Sequence, residues 1–107
     1  MTDLLTRLGL SSLCDGVHIG ALVSGGEVIA VHSPIDGRLI AKVRTGGAAE
    51  VDAACTAAVQ AFDVWRTVPA PRRGELVRRI GERVRARKAD LAALISMEVG
   101  KITQEAL

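Results

Sequence analysis

Aromatic side chains are almost missing from this 107-residue sequence: Phe62 and Trp65 are the only two, and there is no tyrosine. A core built here must come from Leu, Val, Ile and Ala, which bury less area per residue than rings do. The interleaved aromatics of a nucleic-acid-binding surface are absent as well. Cysteine is scarce. Cys14 and Cys55 form neither a disulfide framework nor a metal-ligand spacing, so a reduced, cytoplasmic setting is expected. His18 and His32 lie fourteen positions apart with no third ligand at metal spacing. No run approaches the about 18 apolar residues of a membrane span. Residues 1–13 carry Asp3 early and no continuous apolar stretch, which excludes a signal or transit peptide. The glycines supply no G-x-G-x-x-G and no Walker lysine, so Gly46-Gly47 does not read as a phosphate loop.

What is present is aliphatic and unevenly charged. Hydrophobic residues make up 49% of the chain, which excludes compositional disorder. The length allows one domain at most. The net charge is only +2, yet residues 71–88 hold eight bases against Glu75 and Glu82, a local +6. The remainder is −4. Such a basic segment on a near-neutral chain raises nucleic acid and membrane surfaces as partners. Glu75 lies within reach of Arg72, Arg78 and Arg79, and Glu82 lies four residues after Arg78. A solvated or salt-bridged face is therefore the expectation, and nucleic acid is not. Arg72 and Arg73 sit in a first helical turn, where the dipole disfavours cations, so something must compensate them.

Three regions follow from the pattern. Residues 1–26 read as a short helix over 3–10, ended by Gly9, then a glycine-bearing loop with a short strand over 17–23. Residues 27–44 read as a β-hairpin, with strands over 27–32 and 38–44 and the turn at Ser33-Pro34-Ile35-Asp36-Gly37. Residues 45–107 read as helical. Val51, Cys55, Ala58, Phe62 and Trp65 recur at spacings of 4, 3, 4 and 3, one stripe of a helix over 48–65. Val68-Pro69-Ala70-Pro71 ends it, and Pro71 suits the first position of the next. That helix, over 71–87, is expected to bury Leu76, Val77, Ile80 and Val84. A fourth over 88–99 uses Leu91, Leu94 and Ile95 and closes near Gly100, and a fifth begins at Ile102. The expected fold is mostly α with one β-hairpin, an α+β fragment. Val51, Phe62, Trp65, Ile80 and Leu94 are expected to bury some area against one another. At about 25 cal/mol per Å² so thin a core barely offsets conformational entropy, and a sizeable exposed apolar patch is expected.

The wording of these helices carries a resemblance. SPIDGRLIAKV, AAEVDAACTAAVQAFDVWRTVPAPRRGELVRRIGE and KADLAALISMEVGKITQE, in that order, resemble the N-terminal hairpin and helices of NAD-dependent aldehyde dehydrogenases. The resemblance covers residues 28–107. The combination of VPAPRRGE, SPIDG and GKITQE is similar to the α-aminoadipic semialdehyde (piperideine-6-carboxylate) dehydrogenase, antiquitin-like branch of lysine catabolism. It implies an oligomeric α/β enzyme with an NAD domain, a catalytic domain and an oligomerising β-arm. In such an enzyme a cysteine thiolate attacks the aldehyde, and a backbone N–H and an asparagine hold the oxyanion. Hydride passes to NAD, and a glutamate activates water. None of those positions falls on this sequence, so no catalytic, cofactor-binding or metal residue is assigned. The chain is expected to be a truncated N-terminal segment, inactive alone, with NAD, aldehyde substrate and homo-oligomer belonging to the parent enzyme. The alternative is a stand-alone helical module that binds a parent-type enzyme or an anionic partner through residues 71–88.

The tempting residues read as structural. Cys55, on the apolar stripe, is expected to be a buried thiol, and Cys14 an incidental one in a loop. His32 is expected to be an exposed or hydrogen-bonded strand residue. Glu98, near a helix end, is expected to pair with Lys101 or a backbone group.

Overall fold

The computed structural model describes residues 2–21 and 24–107. The first helix, α1 (Thr2–Arg7), is shorter than the expected 3–10 because its end is built as a left-handed cap. Gly9 takes φ +74°, Leu10 N–H donates to Leu5 O at 2.8 Å, and Gly9 N–H donates to Thr6 O at 3.0 Å. This paired arrangement satisfies the last helical carbonyls, and only glycine adopts it without strain.

The chain then forms β1 (Leu13–Asp15), β2 (Val28–His32) and β3 (Leu39–Arg44). The hairpin is present: β2 and β3 pair antiparallel, from Val28 opposite Arg44 to His32 opposite Leu39. Its turn is closed locally. Gly37 N–H donates to Ser33 O at 2.8 Å, Arg38 N–H donates to Asp36 Oδ1 at 3.2 Å, and Gly37 has φ +72°. The structure adds a third strand, for β1 runs parallel to β3 with Leu13 opposite Lys42. The order is β1-β3-β2. The strand expected over 17–23 is thus displaced to 13–15. Val17 N–H is taken by Ser24 Oγ at 2.9 Å instead of a ladder. Leu22 and Val23, also within that expectation, lie outside the described residues.

Four helices complete the chain: α2 (Ala48–Trp65), α3 (Ala70–Ala86), α4 (Lys88–Val99) and the single turn α5 (Thr103–Ala106). The α4 helix stops at Gly100, which has φ +75°. A Cβ there would lie 3.3 Å from Pro34 Cγ, so the helix end and the hairpin turn meet at a position that favours glycine twice over.

The packed core is small and lies away from the expected place. Leu4, Leu5, Ile40 and Ala92 are the buried hydrophobic residues among those described. The α1 helix lies against α4. Arg7 fastens it by donating from Nε and Nη2 to Asp90 Oδ1 at 3.1 and 2.9 Å. Arg87 donates to the Arg7 carbonyl, and Asp3 pairs with Arg7 from the same helix. The expected cluster of Val51, Phe62, Trp65, Ile80 and Leu94 does not close. Val51, Phe62 and Ile80 are 54%, 57% and 55% exposed, and neither α2 nor α3 buries a single residue. Leu76, Val77 and Val84 are exposed as well, contrary to expectation. The physical reason is separation: α2 and α3 do not pack along their lengths, and their stripes face one open cleft near the corner without closing it.

The dimensions agree. The radius of gyration is 16.8 Å, against about 13 Å for a closed domain of this length. The accessible surface is 7765 Å², about 2,000 Å² above the figure of about 5,700 Å² expected for a folded monomer of this mass. Apolar surface is exposed as expected: Val51, Val59, Phe62 and Val64 on α2 and Leu76, Val77, Ile80 and Val84 on α3 are all exposed.

The Arg7 hydrogen bond is the main cause holding the Asp90 carboxyl below its ordinary range. A depressed native pKa means that the contribution is complete above the ordinary carboxylate value and is lost as pH falls through the depressed one. Asp90→Asn should lower hydrogen-exchange protection of residues 4–10 a few-fold at neutral pH. Variant and wild type should converge as acid protonates Asp90. Equal protection at neutral pH would exclude the clamp. Enlarging the most buried residue, as in Ala92→Leu, should cost about 1–3 kcal/mol in a denaturant titration.

Candidate functional site

The chain's largest unsatisfied feature is the corner where α2 gives way to α3. The sequence builds it in steps. At the start of α2, Gly47 N–H donates to Glu50 Oε2 at 2.8 Å, so the third helical residue supplies half of a capping box. The rest of α2 is amphipathic: Asp52, Thr56, Gln60 and Asp63 share one face, and Val51, Cys55, Ala58, Phe62 and Trp65 form the apolar stripe. At its end Thr67 Oγ1 donates to Val64 O at 2.7 Å. Arg73 then reaches back and donates from Nη1 to Val68 O at 3.0 Å and Arg66 O at 3.5 Å. A cation in the first turn of α3 is thereby placed at the negative end of α2, which answers the compensation the sequence requires. The Arg66 guanidinium sits 5.8 Å from the centre of the Phe62 ring.

Between the diverging helices lies an open cleft of about 630 Å³, lined by Ala58, Ala61, Phe62, Trp65, Val68 and Leu76. No charged side chain lines it. On the outer side of α3, Arg78 donates from Nε and Nη2 to the two Glu75 oxygens at 2.8 and 2.9 Å. Arg79 Nε adds a bond to Glu75 at 3.0 Å, and Arg78 also pairs with Glu82. The Arg78 and then the Arg79 hydrogen bonds hold the Glu75 carboxyl below its usual range. The expected salt-bridged face is present for Arg78 and Arg79; Arg72 takes no part in it.

The residues that invited a chemical reading are scattered. Cys55 is exposed on α2, correcting the expectation of a buried thiol, because no other element covers that stripe. Cys14 is half-buried on β1, where its thiol donates to Ser11 O at 3.4 Å. His18 Nδ1 accepts from Gly20 N–H at 3.3 Å, while His32 is exposed in β2. Glu98 is exposed and makes no ion pair with Lys101 among the described residues. Among the described residues no group of three or more His, Cys, Asp or Glu is placed to hold a metal ion. No helix among them is long and apolar enough to cross a membrane. The apolar cleft offers no donor for a pyrophosphate and the chain has no glycine-rich fingerprint, so the described residues do not fit NAD. Sequence reasoning missed the Arg73 cap and the Arg7–Asp90 clamp. Both are long-reach contacts that helical periodicity does not signal.

The aldehyde dehydrogenase family profile matches residues 22–107, from the hairpin through all three long helices. The chain belongs to the aldehyde dehydrogenase family. It is 41% identical over 101 residues to the α-aminoadipic semialdehyde dehydrogenase of Bos taurus, a match covering 94% of this chain and 19% of that protein. The putative aldehyde dehydrogenase family 7 member A1 homolog of Dictyostelium discoideum is 45% identical over 93 residues, 86% of this chain and 18% of that protein. The N-succinylglutamate 5-semialdehyde dehydrogenase of Chromobacterium violaceum is 42% identical over 85 residues, 79% of this chain and 18% of that protein. The chain thus spans about a fifth of the length of the relatives it matches.

Arg73→Ala should destabilise the chain by about 1 kcal/mol, since it strips the Arg66 and Val68 carbonyls, just past the end of α2, of their donor. Arg85→Ala, which removes no side-chain hydrogen bond or ion pair among the described residues, should change stability by no more than about 0.5 kcal/mol. Paired urea titrations of the two variants test this, and equal effects would deny Arg73 its capping role.

Proposed function

We propose that this chain is the N-terminal part of an NAD-dependent aldehyde oxidoreductase and that it does not oxidise aldehydes unaided. The parent reaction is the oxidation of an aldehyde, α-aminoadipic semialdehyde of lysine degradation, to the carboxylate, with NAD accepting the hydride. The observation that carries this reading is the 41% identity over 101 residues to a protein named for that aldehyde. The segment's part in such an enzyme is architectural. The hairpin and helices present packing surfaces, and the aldehyde and NAD are met by residues outside this sequence. A homo-oligomer is the expected state of the parent. The two free thiols, Cys14 and Cys55, suit a reducing, cytoplasmic setting.

A second reading, a helical interaction module, is favoured by one observation: α2 and α3 bury no residue within the chain. In that reading the apolar corner, with the basic face of α3 beside it, meets another protein.

Incubating the purified 107-residue chain with α-aminoadipic semialdehyde and NAD, and following NADH absorbance, tests the main reading. The expected rate equals the enzyme-free blank. Sustained NADH production by the chain alone would overturn the claim that its residues are architectural.

A further inference from the structure

The α2–α3 corner carries charge on one rim only. On α2, Asp52 and Asp63 stand with Thr56 and Gln60 on the polar face, away from the Ala58, Ala61 and Trp65 side chains that line the cleft. The cleft therefore has an uncharged wall along α2. On α3, Arg72, Arg79 and Arg83 stand four residues before, three after and seven after Leu76, the spacings that share a helix face. Leu76 lines the cleft, and it also lines an adjoining hollow of about 340 Å³ with Arg72, Glu75 and Arg79. The apolar cleft and the basic rim thus meet at one side chain.

That rim holds more positive charge than the chain answers. Glu75 is the acid beside it, and Arg78 and Arg79 already engage both its oxygens. Among the described residues Arg72 and Arg83 form no ion pair. Both are exposed, with about 16 Å of helix rise between them. Beside them Leu76 and Ile80 are exposed too. An apolar line edged by unanswered arginines fits an occupant that is apolar where it enters the cleft and acidic where it meets α3. Among the described residues no helix of a second copy supplies that edge. The acids of α2 stand off its apolar stripe, α3 is basic, and on α4 Asp90 is held by Arg7, which leaves Glu98 alone.

We propose that the α2–α3 corner takes an amphipathic helix of another protein, one with an apolar face and acidic residues along one edge. The apolar face enters the cleft against Phe62, Trp65 and Leu76, and the acids meet Arg72 and Arg83. Two acids about three turns apart on a helix lying beside α3 reach both arginines. The area is sufficient. The chain exposes about 2,000 Å² more than a closed monomer of its mass, whereas a standard interface takes about 800 Å² from each partner. The apolar contact supplies the affinity, and the arginine rim selects the partner and its orientation. This rests on the reading of the chain as a helical interaction module and names the partner chemistry which that reading leaves open.

Trp65 lines the cleft and is the only tryptophan, so its emission reports the occupant directly. The full 107-residue chain is titrated with a tryptophan-free synthetic helical peptide of about 18 residues, with leucines on one face and glutamates along one edge. The same peptide with lysine in place of glutamate is the control. The glutamate peptide should shift the emission to shorter wavelength and saturate with a Kd of about 10 µM. The lysine peptide should bind at least about tenfold more weakly. Arg72→Glu with Arg83→Glu should invert that preference. Its circular dichroism should match the wild type, since both positions are exposed. Equal binding of the two peptides, or an unchanged preference in the double variant, would overturn the acidic edge while the module reading stands. No shift with either peptide would overturn both. An emission that moves with the chain's own concentration would give the corner to a second copy, and one that moves only with phosphatidylglycerol vesicles would give it to a lipid surface; either would overturn the proposal.

Discussion

The divergence of α2 and α3 at the Trp65–Pro71 corner is the constraint on which the rest of this molecule depends. Pro69 and Pro71 stop one helix and start the next within a few residues, and Arg73 fixes the joint by holding the Arg66 and Val68 carbonyls. Once the helices part, the stripe of Val51, Phe62 and Trp65 meets that of α3 only across an open cleft at Leu76, and Ile80 and Val84 stay exposed. Loss of that contact leaves the chain extended over 48 × 33 × 21 Å, with its largest apolar residues in water. The aliphatic composition deepens the consequence, because no spare aromatic is available to fill a gap elsewhere.

Against this open wing stands a small closed unit. Helix α1, helix α4 and the sheet share what core there is, and polar contacts tie them at defined points: Arg7 on Asp90, Arg87 on the Arg7 carbonyl, Gly100 against Pro34. The electrostatics follow the same division. In the closed unit, charged groups meet across elements. On α3 they meet mainly along one helix, through the Glu75 network, and leave Arg72 and Arg83 unpaired. The charge that α3 carries in excess is opposite in sign to that of α2, and among the described residues no ion pair joins the two helices.

Much of this was legible in the sequence, and the failures share a cause. The long helices and the hairpin declared themselves through period, proline placement and the Asp36-Gly37 turn. The family was legible in SPIDG, VPAPRRGE and SMEVGK, which are turn and packing motifs. Strand β1 was not legible: Leu13-Cys14-Asp15 is too short to show alternation and exists only because β3 offers it an edge. The core was misplaced for a related reason. Periodicity reports which face of a helix wants cover, and Phe62 and Ile80 do want it, but it does not report whether the cover is in the same chain. The buried Cys55 expected from its stripe failed on the same point. As for the candidate site, the basic run over 71–88 was visible, whereas the role of Arg73 emerged only once the end of α2 was placed beside the first turn of α3.

The central claim is that the apolar faces of α2 and α3 are not covered within these 107 residues. Thermal unfolding of the 107-residue chain, followed by far-ultraviolet circular dichroism beside the fluorescence of an apolar dye, tests it most directly. The account predicts that the dye binds the folded chain at low temperature and that the melt is broad. A sharp, cooperative transition with no dye bound before it would show that the chain covers its own core, and would contradict it.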